Sequence, residues 1–281
     1  MKVKEEKCKF NRIKLFQQNI DKDKINILLY KLYNTFCFST FPYLIYKEGS
    51  SYNCSKKFNS GNCIGFCYFI KEYLKLNYDI ESYMIGASVP SLFKVEGTPH
   101  ICHCAILIPI SKEEFYIVDG AIYFLEPIYC NLKNDINGSI YISNVYEHCR
   151  KKINYQLDIC NKCELDPVYN QTLYDNSLII KCEFDESKTE TWNYYLNEII
   201  NPDNNIGFSF LMYKPQPFLM YTIYEDGIVK LKYKIYYKNE MIIIKSYPSR
   251  KQLYSGNGYD NNETFINIKN ELNKYFLDFI I

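Results

Sequence analysis

"SGNCIGFCYFIKEYL", residues 60–74, sets two cysteines one helical turn apart behind a Ser-Gly-Asn run. An apolar helical pattern starts at Cys63, and Ser60, Gly61 and Asn62 supply capping chemistry, so Cys63 is expected in the first turn of a helix. Free N–H groups and the helix dipole favour an anion there and depress the pKa of a thiol. Two readings of Cys63 follow: a small buried hydrophobe, or a thiolate nucleophile. Cys67 falls on the same side of the helix and reads as core.

Upstream the chain reads as helical. In "DKDKINILLYKLYNTF", residues 21–36, Ile25, Leu29, Leu32 and Phe36 fall at helical spacing, with Asp21 or Asp23 as the cap. Downstream of about residue 80 the period changes. "SYMIGASV", "ICHCAILIPI", "EFYIVDG" and "IYFLEPIY" are short β-rich runs between turn residues. The polar stretch 131–172 reads as loops and insertions, "SLIIKCEF" as a strand, and "WNYYLNEIINP" as a short helix closed by Asn-Pro. Strands return in "FSFLMY", "FLMYTIY", "VKLKYKIYY" and "MIIIKSY", with hairpin signals at Glu225-Asp226-Gly227 and Lys238-Asn239. "NETFINIKNELNKYF" reads as a terminal helix capped by Asn262. This order predicts an α+β protein in three parts: a helical domain over 1–85 carrying the nucleophile, a β-barrel domain over 86–190, and an α/β lid over 191–281.

The 281 residues are 47% hydrophobic and 23% charged, ordinary values for a chain that buries a full core. A formal charge of +1 excludes nucleic-acid binding through a bulk positive field. Arginine is confined to Arg12, Arg150 and Arg250 while Lys, Asn, Ile and Tyr abound; AT-rich coding explains that skew, so the 29 tyrosines are no binding signal. The charged start "MKVKEEKCKFNRIKLF" lacks the apolar region of a signal peptide, and no run approaches the ~18 apolar residues of a membrane span. A cytoplasmic protein is expected, with most of its 12 cysteines free and buried.

A nucleophilic cysteine needs a base and a group to orient that base. The chain has 3 histidines, and His103 shares a strand face with Ala105 and Leu107 in "HICHCAILIPI". The next strand, "FYIVDGA", carries one acid, Asp119, in an apolar run, where an unpaired buried carboxylate is costly. Adjacent antiparallel strands bring Asp119 toward the His103 ring. Cys63, His103 and Asp119 thus form a candidate catalytic triad in one of the chain orders such triads take.

The order and separations of these three residues resemble those of the arylamine N-acetyltransferases. "SGNCIGF" stands where that family has Arg-Gly-Gly-x-Cys, "HCAILI" where it has its His strand, and "YIVDGAIYFLEPI" where it has its Val-Asp strand. "FNRIKLF" with "INILLYKLYNTFCFSTFPYL" is similar to the N-terminal helices and the segment leading to its Pro-Phe motif, and "NPDNNIGFSFLM" with "ELNKYFLDFII" to its third domain. Asn59 and Ser60 replace the family's arginine, and Gly65 its glutamate after the cysteine. The resemblance implies a cysteine-proteinase-like core: N-terminal helical bundle, central β barrel and C-terminal α/β lid. It also implies acetyl-coenzyme A as acyl donor, a small-molecule amine as acceptor, and an acetyl-Cys63 intermediate served by His103 and Asp119. A transglutaminase-like or papain-like peptidase or deamidase uses the same triad order. A binding protein that kept the fold without turnover is the third possibility.

Other candidates are weaker. Cys160 and Cys163 in "CNKC" have zinc-like spacing, with Cys149 or His148 to complete a set, but a second Cys-x-x-Cys is missing and no metal is expected. His100 precedes the apolar run and reads as exposed. The alternating lysines of "VKLKYKIYYK" read as a solvated strand face.

Overall fold

The computed structural model describes residues 13–44, 50–94, 101–134, 136–160, 164–165, 172–173, 177–200 and 218–257, with isolated positions as far as 270. The terminal helix expected over 262–276 and the stretch 201–213 lie mostly or wholly outside them.

Helix α1 (Lys22–Thr35) starts at Asp21, whose side chain accepts from the Lys24 N–H, and buries Ile25, Leu28, Leu29, Leu32 and Tyr33 along one face. A single turn, α2 (Phe41–Leu44), carries Pro42 within it, where a missing N–H is tolerated. Helix α3 (Ser51–Phe58) is capped by Ser50, and α4 (Cys63–Tyr78) by Asn62. Asp79, in the left-handed conformation at φ 52°, ends α4 and returns its N–H to the Leu74 and Lys75 carbonyls. No helix among the described residues is long and apolar enough to cross a membrane.

Two short strands, Cys37–Ser39 and Ser60–Gly61, pair in parallel and join the first third of the chain to its end. Cys37–Ser39 lies antiparallel to Phe218–Glu225, the first of four strands that complete a six-stranded sheet. The turns there follow the expected chemistry: Asp226 and Gly227 at φ 55° and 74°, and Asn239 and Glu240 at φ 51° and 63°.

The second sheet has eight antiparallel strands in the order Ile128–Asn131, Glu114–Val118, His103–Pro109, Tyr83–Ala87, Thr191–Ile199, Ser177–Phe184, Cys149–Cys160 and Asn137–Asn144. Its ends meet where Phe124 bridges to Ile142 and the Leu125 N–H donates to the Tyr141 carbonyl at 3.0 Å, so the sheet curls into a nearly closed barrel. Ala105, Leu107, Phe115, Ile117, Ile153, Ile180, Trp192 and Tyr194 fill its interior. The alternate residues Cys104, Ile106, Ile108 and Val118 face outward, against α1 and α4.

Three expectations are corrected here. Residues 191–199 form a strand, not a helix: Trp192, Tyr194 and Leu196 alternate into the barrel, and period two with aromatic side chains outweighs the Asn-Pro stop signal. The stretch 131–172, read as loops, contains the hairpin Asn137–Asn144 with Cys149–Cys160. Its outer face is polar, and that polarity hid the strand pattern. "IYFLEPIY" is also shorter as a strand than expected; turns occupy 121–123, Phe124 makes an isolated bridge, and the strand begins at Ile128.

Candidate active site

Cys63 is the first residue of α4, and a buried network holds that helix start in place. The Asn62 side-chain oxygen accepts from the Ile64 and Gly65 N–H groups at 3.0 and 3.2 Å. The Ser51 hydroxyl donates to the same oxygen at 3.2 Å, the Asn62 N–H donates to the Tyr43 hydroxyl at 3.2 Å, and Tyr43 and Ser51 share a 2.8 Å bond. The cap binds the N–H groups of Ile64 and Gly65 and not that of Cys63 itself.

His103 opens its strand at the barrel's end, with its Nε2 2.6 Å from Asp119 Oδ2. The register that sets Ile106 against Val118 places Asp119 opposite Ala105, on the face His103 shares. The imidazole is also close enough to the Cys63 sulfur for each group to act on the other's charge. All three residues are buried, at 1% exposure for Cys63, 3% for His103 and 1% for Asp119.

Asp119 is held on both oxygens. Oδ1 accepts from the Ala121 and Ile122 N–H groups at 3.1 Å each, and Oδ2 also accepts from the Tyr194 hydroxyl at 2.8 Å. Trp192 Nε1 donates to that hydroxyl at 2.9 Å. Gly120 has a steric reason: a Cβ there would lie 2.7 Å from Leu32 Cδ2 and 2.9 Å from Phe66 Cδ1, where α1 and α4 close over the strand end.

The electrostatics favour an ion pair. Burial pushes the Cys63 thiol up, but the Cys104 S–H bond, the His103 charge and bond, and the Cys104 backbone N–H together bring it down to about 6. Burial works against a charged imidazole at His103, yet Asp119 and Cys63 raise its pKa well above the ordinary value. A thiolate beside an imidazolium, with a carboxylate behind it, is the arrangement that follows at neutral pH. Such a thiolate attacks electron-poor carbonyl carbon, and the imidazolium protonates a leaving group.

The structure therefore brings Cys63, His103 and Asp119 together. Cys67 is buried, with its sulfur 3.6 Å from that of Cys104. His148 lies elsewhere, bonding the Leu231 carbonyl at 2.9 Å through Nε2. His100, Cys163 and the side chain of Cys160 lie outside the described residues, and among those described no group of three or more His, Cys, Asp or Glu side chains is placed to hold a metal. Lys230 forms ion pairs with Glu225 and Asp226, whereas Lys234 lies over the rings of Tyr146, Phe218 and Tyr236. Sequence reasoning missed Tyr194, Trp192 and Cys104. Period-two alternation at 192, 194 and 196 would have placed the first two inside the barrel.

No family model matches the sequence, and no curated protein is significantly similar to it. Solved structures do match. An arylamine N-acetyltransferase from Bacillus cereus, with a Cys-His-Glu catalytic triad, superposes at TM-score 0.53 and 12% identity over 92% of both chains. Arylamine N-acetyltransferase C from Bacillus anthracis gives 0.52 and 11% over 90% of this chain and 91% of its own. The enzyme from Salmonella typhimurium gives 0.50 and 12% over 86% and 82%. The fold is the α+β fold of these enzymes, with its cysteine-proteinase-like core.

Proposed function

We propose that this chain is an acyltransferase that moves an acetyl group from acetyl-coenzyme A to a small-molecule amine, through a thioester on Cys63. The observation that carries the reading is the buried chain of contacts from Cys63 through His103 to Asp119, at a helix N-terminus in an arylamine N-acetyltransferase fold. The Cys63 thiolate attacks the thioester carbonyl. Coenzyme A leaves with the His103 proton, and acetyl-Cys63 remains. The amine then attacks that carbonyl, neutral His103 takes its proton, and Cys63 departs as thiolate. The Cys63 N–H, outside the Asn62 cap, is a donor for the oxyanion formed in each step. Asp119 holds His103 in the tautomer and orientation these transfers need. Acetyl-coenzyme A and the amine are both substrates, and the chemistry calls for no resident cofactor.

Incubation with acetyl-coenzyme A followed by intact-mass measurement tests the reading. One acetyl group on Cys63, removed on adding an arylamine or hydrazine, is the expected result. Cleavage or deamidation of a peptide library by Cys63 without that adduct would move the chain to the peptidase class. A protein inert to both is a binding protein on the same fold.

A further inference from the structure

Cys63 has a sulfur neighbour that the acyl-transfer chemistry does not require. Cys104 follows His103 on the strand, but its side chain points to the opposite face, against α4. Its thiol donates to the Cys63 sulfur at 3.6 Å. Cys67, one turn along α4, meets the same Cys104 sulfur at 3.6 Å, so Cys104 is the sulfur both helix cysteines share. All three are buried and free. A disulfide needs its sulfurs ~2.0 Å apart, and those of Cys63 and Cys104 already touch with no atom between them.

We propose that Cys63 and Cys104 form a reversible oxidation site, in which a hydroperoxide oxidises Cys63 and Cys104 resolves the product as a disulfide. In the first step the Cys63 thiolate attacks the terminal peroxide oxygen. The O–O bond breaks, Cys63 becomes a sulfenic acid, and the alcohol (water, from hydrogen peroxide) leaves with a proton from His103. In the second step the Cys104 sulfur attacks the Cys63 sulfur. The S–O bond breaks, and the hydroxyl departs as water with the proton that Cys104 gives up. The two thiols together lose two electrons, and the hydroperoxide gains them.

The asymmetry of the pair suits these roles. Cys63 is the sulfur held as a thiolate, and thiolate character sets susceptibility to peroxide. Cys104 is held as a neutral thiol, raised first by burial and then by its bonds to Cys63 and Cys67. It therefore survives peroxide and remains available to condense. Without a resolving thiol the sulfenic acid proceeds to sulfinic acid, which is not reduced by thiols. The disulfide would protect the reactive sulfur while blocking its chemistry, and a dithiol restores both.

The proposal rests on the contact between the Cys63 and Cys104 sulfurs and not on the acyl acceptor or donor, so it is tested without either. The full chain is treated with a stoichiometric amount of hydrogen peroxide at neutral pH. Remaining thiols are alkylated under denaturing conditions, and the unreduced tryptic digest is mapped by tandem mass spectrometry. Cys63 and Cys67 share one tryptic peptide and Cys102 and Cys104 another. The map is therefore repeated on Cys67→Ala and Cys102→Ala. A Cys63–Cys104 link that persists in both variants and is reversed by dithiothreitol is the expected result. In Cys104→Ala given two equivalents of peroxide, one for each oxygen added, Cys63 should instead become mainly sulfinic acid, resistant to dithiothreitol. Sulfenic or sulfinic acid on Cys63 of the unaltered protein beside an alkylated Cys104 would overturn the proposal. So would a link from Cys63 to Cys67 or Cys102, or a Cys63 untouched by peroxide. If Cys104→Ala does not fold, the unaltered protein decides alone. A chain that forms the link but takes up no acetyl group keeps this site and loses the acyl-transfer reading.

Discussion

Asp119 accepts from His103, from Tyr194 and from two backbone N–H groups, so its carboxylate cannot turn away from the imidazole without breaking several bonds at once. Asp119→Asn keeps the shape but presents an amide to His103. On the proposed mechanism the ring is then held in the wrong tautomer, and turnover should fall on the ~10⁴-fold scale of comparable triads with the melting curve little changed. Loss of fold in that variant would make Asp119 a structural residue. His103 itself is tested through Cys63. A thiol lowered to about 6 is largely thiolate at neutral pH, so its reaction with iodoacetamide should rise with pH through about 6 and then level off. His103→Gln removes the cation, and the midpoint should move up toward the ordinary thiol value of ~8.5. An unshifted profile would show that His103 does not set the state of Cys63. At this scale the three residue types were legible in sequence because each is scarce or out of place: one of 3 histidines, an acid in an apolar strand, a cysteine behind a cap. Tyr194 was not, since one tyrosine among 29 carries no signal until its strand is known.

At the scale of elements, α1 was readable because it buries one face at the helical period, and the central strands because they are short apolar runs between turn residues, His103–Pro109 being buried on both faces. Helix α3 (Ser51–Phe58) was not, because its stretch is polar and reads as a break between helices. The strands over 137–160 were not, because their outward faces are polar. The short strands Cys37–Ser39 and Ser60–Gly61 were not either: three and two residues form no period. Yet Ser60–Gly61 is what delivers Asn62 and Cys63 to the site. Asn62 caps the next element and also binds Ser51 and Tyr43, so it couples two helices to the nucleophile. Asn62→Ala should therefore destabilise by at least the ~1–2 kcal/mol of a lost cap, measured by urea unfolding, and should also raise the pH at which Cys63 alkylates. A stability loss with an unmoved alkylation profile would mean that the cap supports the helix and not the thiolate.

Across the whole molecule the proposed catalytic residues come from two layers that the chain crosses repeatedly. Cys63 sits on a helix whose leading strand belongs to the six-stranded sheet, while His103 and Asp119 belong to the barrel. The core between them is continuous: Cys63, Phe66, Cys67 and Ile70 of α4 pack with Cys104, Ile106 and Val118 of the barrel's outer face and with Val229 and Leu231 of the six-stranded sheet. The helical, barrel and lid segments expected from changes of period along the chain are therefore not expected to unfold separately. Two intrinsic probes distinguish the cases. Trp192 is the sole tryptophan and is buried inside the barrel, so its fluorescence reports the barrel. The thiol of Cys67 lies buried at the junction of α4 with the barrel, so its reaction with a thiol reagent reports the docking of α4. If the shared core makes one cooperative unit, both transitions should fall at the same denaturant concentration with the same slope. Thiol exposure well below the fluorescence midpoint would show α4 leaving an intact barrel. The proposed site would then be assembled by docking of a separable helical layer.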